Sequence, residues 1–355
     1  MSAPLATMHA LVLHGVGDAR FESIPLPEPG PGEVRLRIGF CGVCGSDIPR
    51  TFVKGTYKFP TVCGHEFAGV IDHLGPDVTA FRTGDRVAVF PLLWCGKCEA
   101  CEQGRYVQCH DYDYLGSRRD GAFADYVVAP QRNLLRVPEN VSLEEASMTE
   151  PASVALHAVR RGRVTFGHTV AVFGAGPIGL MVAQWARAMG AAQVVLFDLV
   201  PEKLELAKQL GFTLAFSSRE RNAVAVVNEL TSGQGAHVAI ESAGVPPTFV
   251  QAVEATRRGG RMVILGNPSG DVTLSAALIS QAMRREIDLV GTWNTEYSAM
   301  GNDDDWRASL AAMSSGTLHL KPLITHRVPL SQAWAALQMM QQGQTFYSKV
   351  LIHPE

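Results

Sequence analysis

No stretch of the 355 residues is continuously apolar over the roughly 18–20 positions that a membrane-spanning helix needs. The amino-terminal MSAPLATMHALVLHG also lacks a basic segment ahead of an apolar run, so neither a membrane span nor a secretory leader is expected. Charge of one sign is missing as well. The 31 Lys and Arg against 34 Asp and Glu leave a formal charge of -3, which supplies neither the basic field that nucleic acid requires nor an acidic tail. Internal repeats and low-complexity tracts are absent. These absences point to a cytoplasmic protein whose partner is a small molecule, with no nucleic acid and no membrane. The length suffices for two domains with separate cores, and a 46% hydrophobic content with 34 glycines is ordinary for an α/β enzyme.

Cysteine is sparse and unevenly spread. Four of the seven lie in WCGKCEACEQGRYVQC, as Cys95, Cys98, Cys101 and Cys109, with two, two and seven residues between them. In a reducing compartment such a cluster is a set of thiolate ligands in place of disulfide halves. Four thiolates can enclose one tetrahedral zinc, and a fully protein-bound ion has no position for a substrate, so the lobe 94–110 is expected to be structural. Four thiolates on a divalent ion carry a net charge of about -2, which backbone amides, Lys97 or Arg105 would offset. A nucleic-acid zinc module is disfavoured by the lack of a basic recognition helix.

The first 150 or so residues carry short alternating runs such as EVRLRI, RVAVF and ADYVVAP between turns such as PEPGPGE and HLGPD, the pattern of a β-rich, barrel-like domain. From about Arg160 the texture becomes strand and helix in alternation. TVAVFGAGPIGLMVAQWARAMGAAQVVLFDL reads as a strand, a glycine turn, an amphipathic helix and a second strand, the opening of a doubly wound parallel sheet. The fold class expected is therefore α/β. Gly174, Gly176 and Gly179 form a GxGxxG turn whose helix begins at Pro177 and Ile178. The first two glycines allow the tight turn and close approach to a pyrophosphate, and the third lets helix and strand pack. Asp198 closes the next strand, where a carboxylate binds the adenosine ribose and repels a 2'-phosphate; Leu199 and Val200 supply no cation, which favours NAD over NADP. Beyond Trp293 the texture is irregular, and the tail is expected to rejoin the first domain.

Cys44 in CGVCGSD, His65 and Glu66 in GHEFAG, and Glu150 in TEPASV stand apart in the chain. Each has a plain alternative: a buried small hydrophobe, a satisfied core histidine, and the N-terminal carboxylate of a helix. Taken together and in order, CGVCGSD, GHEFAG, the four-cysteine lobe, TEPASV and VFGAGPIG resemble the zinc-containing medium-chain dehydrogenase family over essentially the whole chain. CGSDIPR, YDYLGSRRDGAFADY and PLITHR are similar to its polyol branch.

The resemblance implies a GroES-like catalytic domain from 1–158 and 295–355, a Rossmann NAD-binding domain over 159–294, and a substrate cleft between them. It implies two zinc ions per subunit: a structural one on the four-cysteine lobe, and a catalytic one on Cys44 and His65, with Glu66, Glu150 or both in turn completing the shell. The activity implied is hydride transfer to NAD from a secondary hydroxyl of a polyol or polyol phosphate, of the galactitol 1-phosphate kind, giving the ketose. Ser46 is either a proton relay or a turn hydroxyl bonded to backbone, and Asp47 supports the ligands. Cys41 and Cys63 are expected to be packing thiols. A homo-oligomer, dimer or tetramer, is expected.

A phosphorylated substrate needs a cationic pocket. Arg118 and Arg119 in GSRRDG, with Lys54 behind them, are the candidates, although Arg119 is equally suited to pairing with Asp120 on the surface. Trp293 opens a segment, WNTEYSAMGNDDDW, expected to line the cleft mouth, where Asp303, Asp304 and Asp305 would oppose a phosphate if they face inward. An unphosphorylated polyol such as sorbitol is the alternative substrate. A non-catalytic NAD-binding structural protein and a zinc-free quinone reductase of the same fold both predict a missing ligand, and every ligand position is filled.

Overall fold

The computed structural model describes residues 6–355. The chain divides into two compact units, one formed by the chain up to Glu150 with Glu296–Ser314 and Ile324–Glu355, the other by Pro151–Thr295 with Ser315–Leu323. The short segment 315–323 thus groups with the second unit, so the chain returns to the first unit in two pieces.

In the first unit the strands are β1 (Thr7–Gly15), β2 (Asp18–Pro25), β3 (Glu33–Gly42), β4 (Thr61–Val62), β5 (Glu66–Leu74), β6 (Arg86–Val89), β7 (Leu92–Leu93), β8 (Asp113–Tyr114), β9 (Tyr126–Pro130) and β10 (Leu134–Arg136). In β3, EVRLRI alternates as the period of two requires: Val34, Leu36 and Ile38 are buried and Arg37 is exposed. Phe67, Ile71, Val87, Val89 and Phe123 complete this core. β3 and β5 pair antiparallel with two register shifts, and the pairing ends with Gly42 opposite Glu66.

The second unit holds β11 (Thr169–Phe173), β12 (Gln193–Asp198), β13 (Ala215–Ser217), β14 (Ala236–Glu241), β15 (Thr256–Ile264) and β16 (Asp288–Gly291). All are parallel, in the order β13-β12-β11-β14-β15-β16. That is the Rossmann order, with its switch point between β11 and β14, where ligands bind beyond the carboxyl ends of the strands. Each residue of TVAVF is buried, as expected of a parallel strand covered by helices on both faces. None of the described helices is long and apolar enough to cross a membrane.

The first unit is completed by β17 (Ile324–Pro329) and β18 (Lys349–His353), which extend its larger sheet to the order β10-β6-β5-β3-β18-β17, with β9 also on β3. β18 runs antiparallel to β3, with Leu351 opposite Gly42. This register carries the start of β18 to the end of β3, which positions the site described next.

Candidate active site and metal centres

The four-cysteine lobe assembles as the spacing requires. Cys98 caps the single turn Glu99–Glu102, Cys101 lies within it, and Cys109 follows the turn Tyr106–Gln108. The sulfurs lie 3.5 Å (Cys98–Cys101), 3.8 Å (Cys98–Cys109) and 3.9 Å (Cys95–Cys101) apart, and none is in a disulfide. Backbone amides of His110 and Cys101 favour the Cys98 thiolate and lower its pKa to about 6, whereas burial raises Cys101 to about 12. A metal ion resolves such an opposed set by deprotonating all four thiols. The donor chemistry fits zinc.

The second cluster is built from β3, β5 and the turn after β3. Ligand atoms of Cys44, His65 and Glu66 lie within 4.8 Å of one another. His65 and Glu66 are adjacent where β5 begins, and Cys44 lies two residues beyond the end of β3. Asp47 supports all of this from full burial: it accepts from the Cys44 amide at 3.0 Å and from Arg50 Nη1 at 2.6 Å, and its Oδ1 lies 3.5 Å from His65 Nδ1. Burial opposes its charge, but His65 and Arg50 prevail and its pKa falls below the usual carboxylate range. Burial likewise disfavours a protonated His65, yet Asp47 and Cys44 push its pKa well above the usual imidazole value.

Glu150, on the first turn of the helix Thr149–Arg161, lies outside the three-ligand set but beside it. Burial first and Glu66 next raise its pKa to about 7, against the pull of His65. The Tyr114 hydroxyl is 3.5 Å from Glu150 Oε1, and the Tyr114 ring meets His65 edge-on. Lys349 closes the cluster: 3% exposed, it donates to Val43 O at 3.2 Å and forms an ion pair with Glu66 Oε2. Cys44, Asp47, Glu66 and Glu150 can carry negative charge here, against Arg50, Lys349 and a protonated His65. One thiolate, one imidazole and one carboxylate brought this close form a donor set that fits a divalent zinc ion.

Ser46 is exposed and its hydroxyl makes no capping hydrogen bond. Cys41 and Cys63 are buried in the core, where burial raises both thiols, Cys63 to about 12. Arg50, Tyr114 and Lys349 were not found from the sequence. For Lys349 a signal exists: a lysine opening the otherwise apolar, buried strand KVLIH.

In the second unit the glycine turn takes the expected form. Gly174 has φ +102°, and a Cβ there would sit 2.9 Å from the Ala243 amide. A Cβ on Gly179 would collide with the Gly174 carbonyl, while one on Gly176 would meet nothing within 4 Å, so space is open beside that backbone. The helix Pro177–Ala188 has no side-chain cap, leaving its first amides for an anion. Asp198 accepts from Ala175 N at 2.8 Å, Leu199 N at 2.8 Å and Val200 N at 3.0 Å, tying the turn to the second strand. Cations do stand nearby: Lys203 Nζ is 3.5 Å from Asp198, and Arg219 Nε donates to Leu199 O at 3.1 Å.

The expected substrate residues diverge. Arg118 is held between the rings of Tyr57 (4.4 Å) and Tyr112 (4.2 Å) and donates to Tyr112 O at 2.9 Å. Arg119 pairs with Asp113 at 3.3 Å; Asp120, the expected neighbour, instead accepts from the Val62 amide. Lys54 is exposed. Trp293 lies in the second unit, 62% exposed. Of the acidic run, Asp303 is exposed, whereas Asp304 and Asp305 are fully buried and accept from Arg307 N, Ser298 N and Glu296 N.

Comparison with known proteins identifies the family. Residues 177–315 match the zinc-binding dehydrogenase family and residues 30–139 the alcohol dehydrogenase GroES-like domain. The sorbitol dehydrogenase of Bacillus subtilis is 35% identical over 354 residues, 98% of this chain and 97% of its own. The galactitol 1-phosphate 5-dehydrogenase of Escherichia coli is 38% identical over 295 residues, 83% of this chain and 85% of its own. The crystal structure of galactitol-1-phosphate dehydrogenase from Escherichia coli superposes with a TM-score of 0.92 at 35% identity, over 98% of this chain and 100% of that one. A zinc-binding dehydrogenase from Sinorhizobium meliloti bound to NADP does so with a TM-score of 0.89 at 28% identity, over 98% of this chain and 100% of that one. The chain belongs to the zinc-dependent alcohol and polyol dehydrogenase family.

Proposed function

We propose that the protein oxidises a secondary hydroxyl of a polyol or polyol phosphate to the ketose, with NAD as hydride acceptor. The observation that carries this reading is the cluster of Cys44, His65 and Glu66, whose ligand atoms lie within 4.8 Å of one another, in a chain of this family. Cys44, His65 and Glu66 would hold a zinc ion that would supply Lewis acidity toward a substrate hydroxyl, and Cys95, Cys98, Cys101 and Cys109 would hold a second that would cross-link the lobe. Gly174, Gly176, Pro177, Ile178, Gly179 and Asp198 would bind NAD, which would serve as hydride acceptor.

The chain's own residues divide the remaining work. Asp47 fixes the His65 ring and the Cys44 backbone. Glu150, raised to about 7, holds or releases a proton near neutral pH. Ser46, exposed beside Cys44, passes a proton outward. Arg118, with both faces covered by tyrosine rings, keeps its guanidinium edge for a phosphate. Lys54 adds positive charge. Arg119 we assign to the fold through Asp113. The first unit is then the catalytic domain and the second the dinucleotide-binding domain.

Asp198 favours NAD over NADP, which a comparison of the two cofactors checks. We further propose a cytoplasmic homo-oligomer, joined along the exposed edge strand β16. A sorbitol-like free polyol is the second reading, favoured by the whole-length match to a sorbitol dehydrogenase. Initial rates of NAD reduction with hexitol and pentitol phosphates against the free polyols separate the two. Preference for the phosphates supports Arg118 as substrate contact; activity on free polyols alone assigns Arg118 to structure; activity on neither refutes the function.

A further inference from the structure

The pairing of Lys349 with Glu66 has no role in the reading above, yet it sits at its centre. Lys349 is 3% exposed and Glu66 1%. Glu66 Oε2 has no hydrogen bond and meets the Lys349 ammonium as an ion pair. The same ammonium is anchored by Val43 O at 3.2 Å, one residue from Cys44. Strand register enforces the arrangement: Gly42 faces Glu66 across β5 and Leu351 across β18, so β18 delivers its first side chain to the cluster. Gly42 also makes the room, since a Cβ there would strike Glu66 Oε2 and stand 2.9 Å from Lys349 Cε.

A buried ammonium beside a cation-binding carboxylate acts in two ways with one sign. It attracts Glu66, and it repels any dication that Glu66 helps to hold. Both effects weaken Glu66 as a ligand. Glu150, buried next to the set with its Oε1 3.5 Å from the Tyr114 hydroxyl, is the group placed to benefit when Glu66 withdraws.

We propose that Lys349 is a positioning residue that competes with the catalytic metal for Glu66, keeping that carboxylate exchangeable at the cost of metal affinity. The proposal rests on the metal reading of Cys44, His65 and Glu66 above. It makes an unusual prediction about sign, because removing a residue from a well-packed site ordinarily loosens what the site binds.

The test is cobalt(II) titration of the metal-depleted catalytic site, followed by thiolate-to-cobalt absorption, in the wild type, Lys349→Met and Lys349→Arg. The expected result is about tenfold or more tighter cobalt binding in Lys349→Met, near-wild-type binding in Lys349→Arg, and a kcat lowered about tenfold in the methionine variant of the zinc enzyme. Equal or weaker cobalt binding in Lys349→Met overturns the proposal, as does tightening in Lys349→Arg. Should Lys349→Met fail to fold, Lys349→Gln, which keeps a donor for Val43 O without the charge, carries the same comparison. A wild type with no thiolate-to-cobalt band overturns the metal reading as well; a wild type that binds cobalt at Cys44 with an unchanged Lys349→Met overturns this inference alone.

Discussion

The two cysteine centres of the first unit use the same element in opposite ways. The lobe at Cys95–Cys109 is uniform: four sulfurs drawn together by two short turns, with backbone amides as their main polar neighbours. The cluster at Cys44 is mixed: one sulfur from the turn after β3, with one imidazole and one carboxylate adjacent where β5 begins, surrounded by buried Asp47, Glu150 and Lys349 and by half-buried Arg50. A uniform set saturates its ion and can only hold structure. A mixed set of three, with a spare carboxylate nearby, leaves a position for chemistry. The difference lies in what surrounds the ligands as much as in the ligands themselves.

The comparison can be broken in order of effect. Cys44→Ala is expected to lower turnover by about 10³-fold or more while NAD binding, measured by fluorescence titration, persists; substantial turnover in a metal-depleted variant would dissolve the contrast. Cys98→Ser is expected to leave the chemistry in place but lower the melting temperature, on the order of 5 °C, with loss of one zinc per subunit by metal analysis. Unchanged melting with full metal content would show that the lobe is not a metal cross-link.

Arg118→Ala sharpens the same contrast at the substrate end. It is expected to raise KM for a polyol phosphate about tenfold and to leave KM for the free polyol unchanged. A smaller effect comes from a histidine pair in the second unit. His168 and His237 stack at 4.6 Å, and His237 Nδ1 accepts from the Thr169 amide at 3.0 Å. Burial, then the Arg257 charge, lowers both pKa values below 6.5. Groups depressed in the folded state leave stability intact above the unfolded pKa and cost it as pH falls below 6.5 toward the folded value. The melting temperature is therefore expected to drop as pH falls through 6.5, and less so in His237→Asn; identical pH profiles would remove this assignment.

The dinucleotide turn and the cysteine lobe were legible because each is local: TVAVF followed by GAGPIG, and four cysteines within fifteen residues, fix their own geometry. Cys44, His65 and Glu66 became a site only through resemblance, since their approach depends on the β3–β5 register. Lys349 was out of reach because it lies more than 280 residues from Glu66 in sequence and arrives through β18. Local charge logic failed in two places. Arg119 chose Asp113 across a turn over its neighbour Asp120, and Asp304 and Asp305 turned inward to cap backbone amides. In both, backbone donors and chain reversal outweighed sequence adjacency.

The most direct measurement is a chelator titration of the purified zinc enzyme, with zinc per subunit counted by native mass spectrometry while NAD reduction and thermal unfolding are followed. The account predicts two zinc ions, of which the first to leave removes all turnover with little change in melting, and the second lowers the melting temperature. Turnover that survives loss of the first ion, or melting and activity that fall together from the first step, would contradict the division between an open and a closed centre.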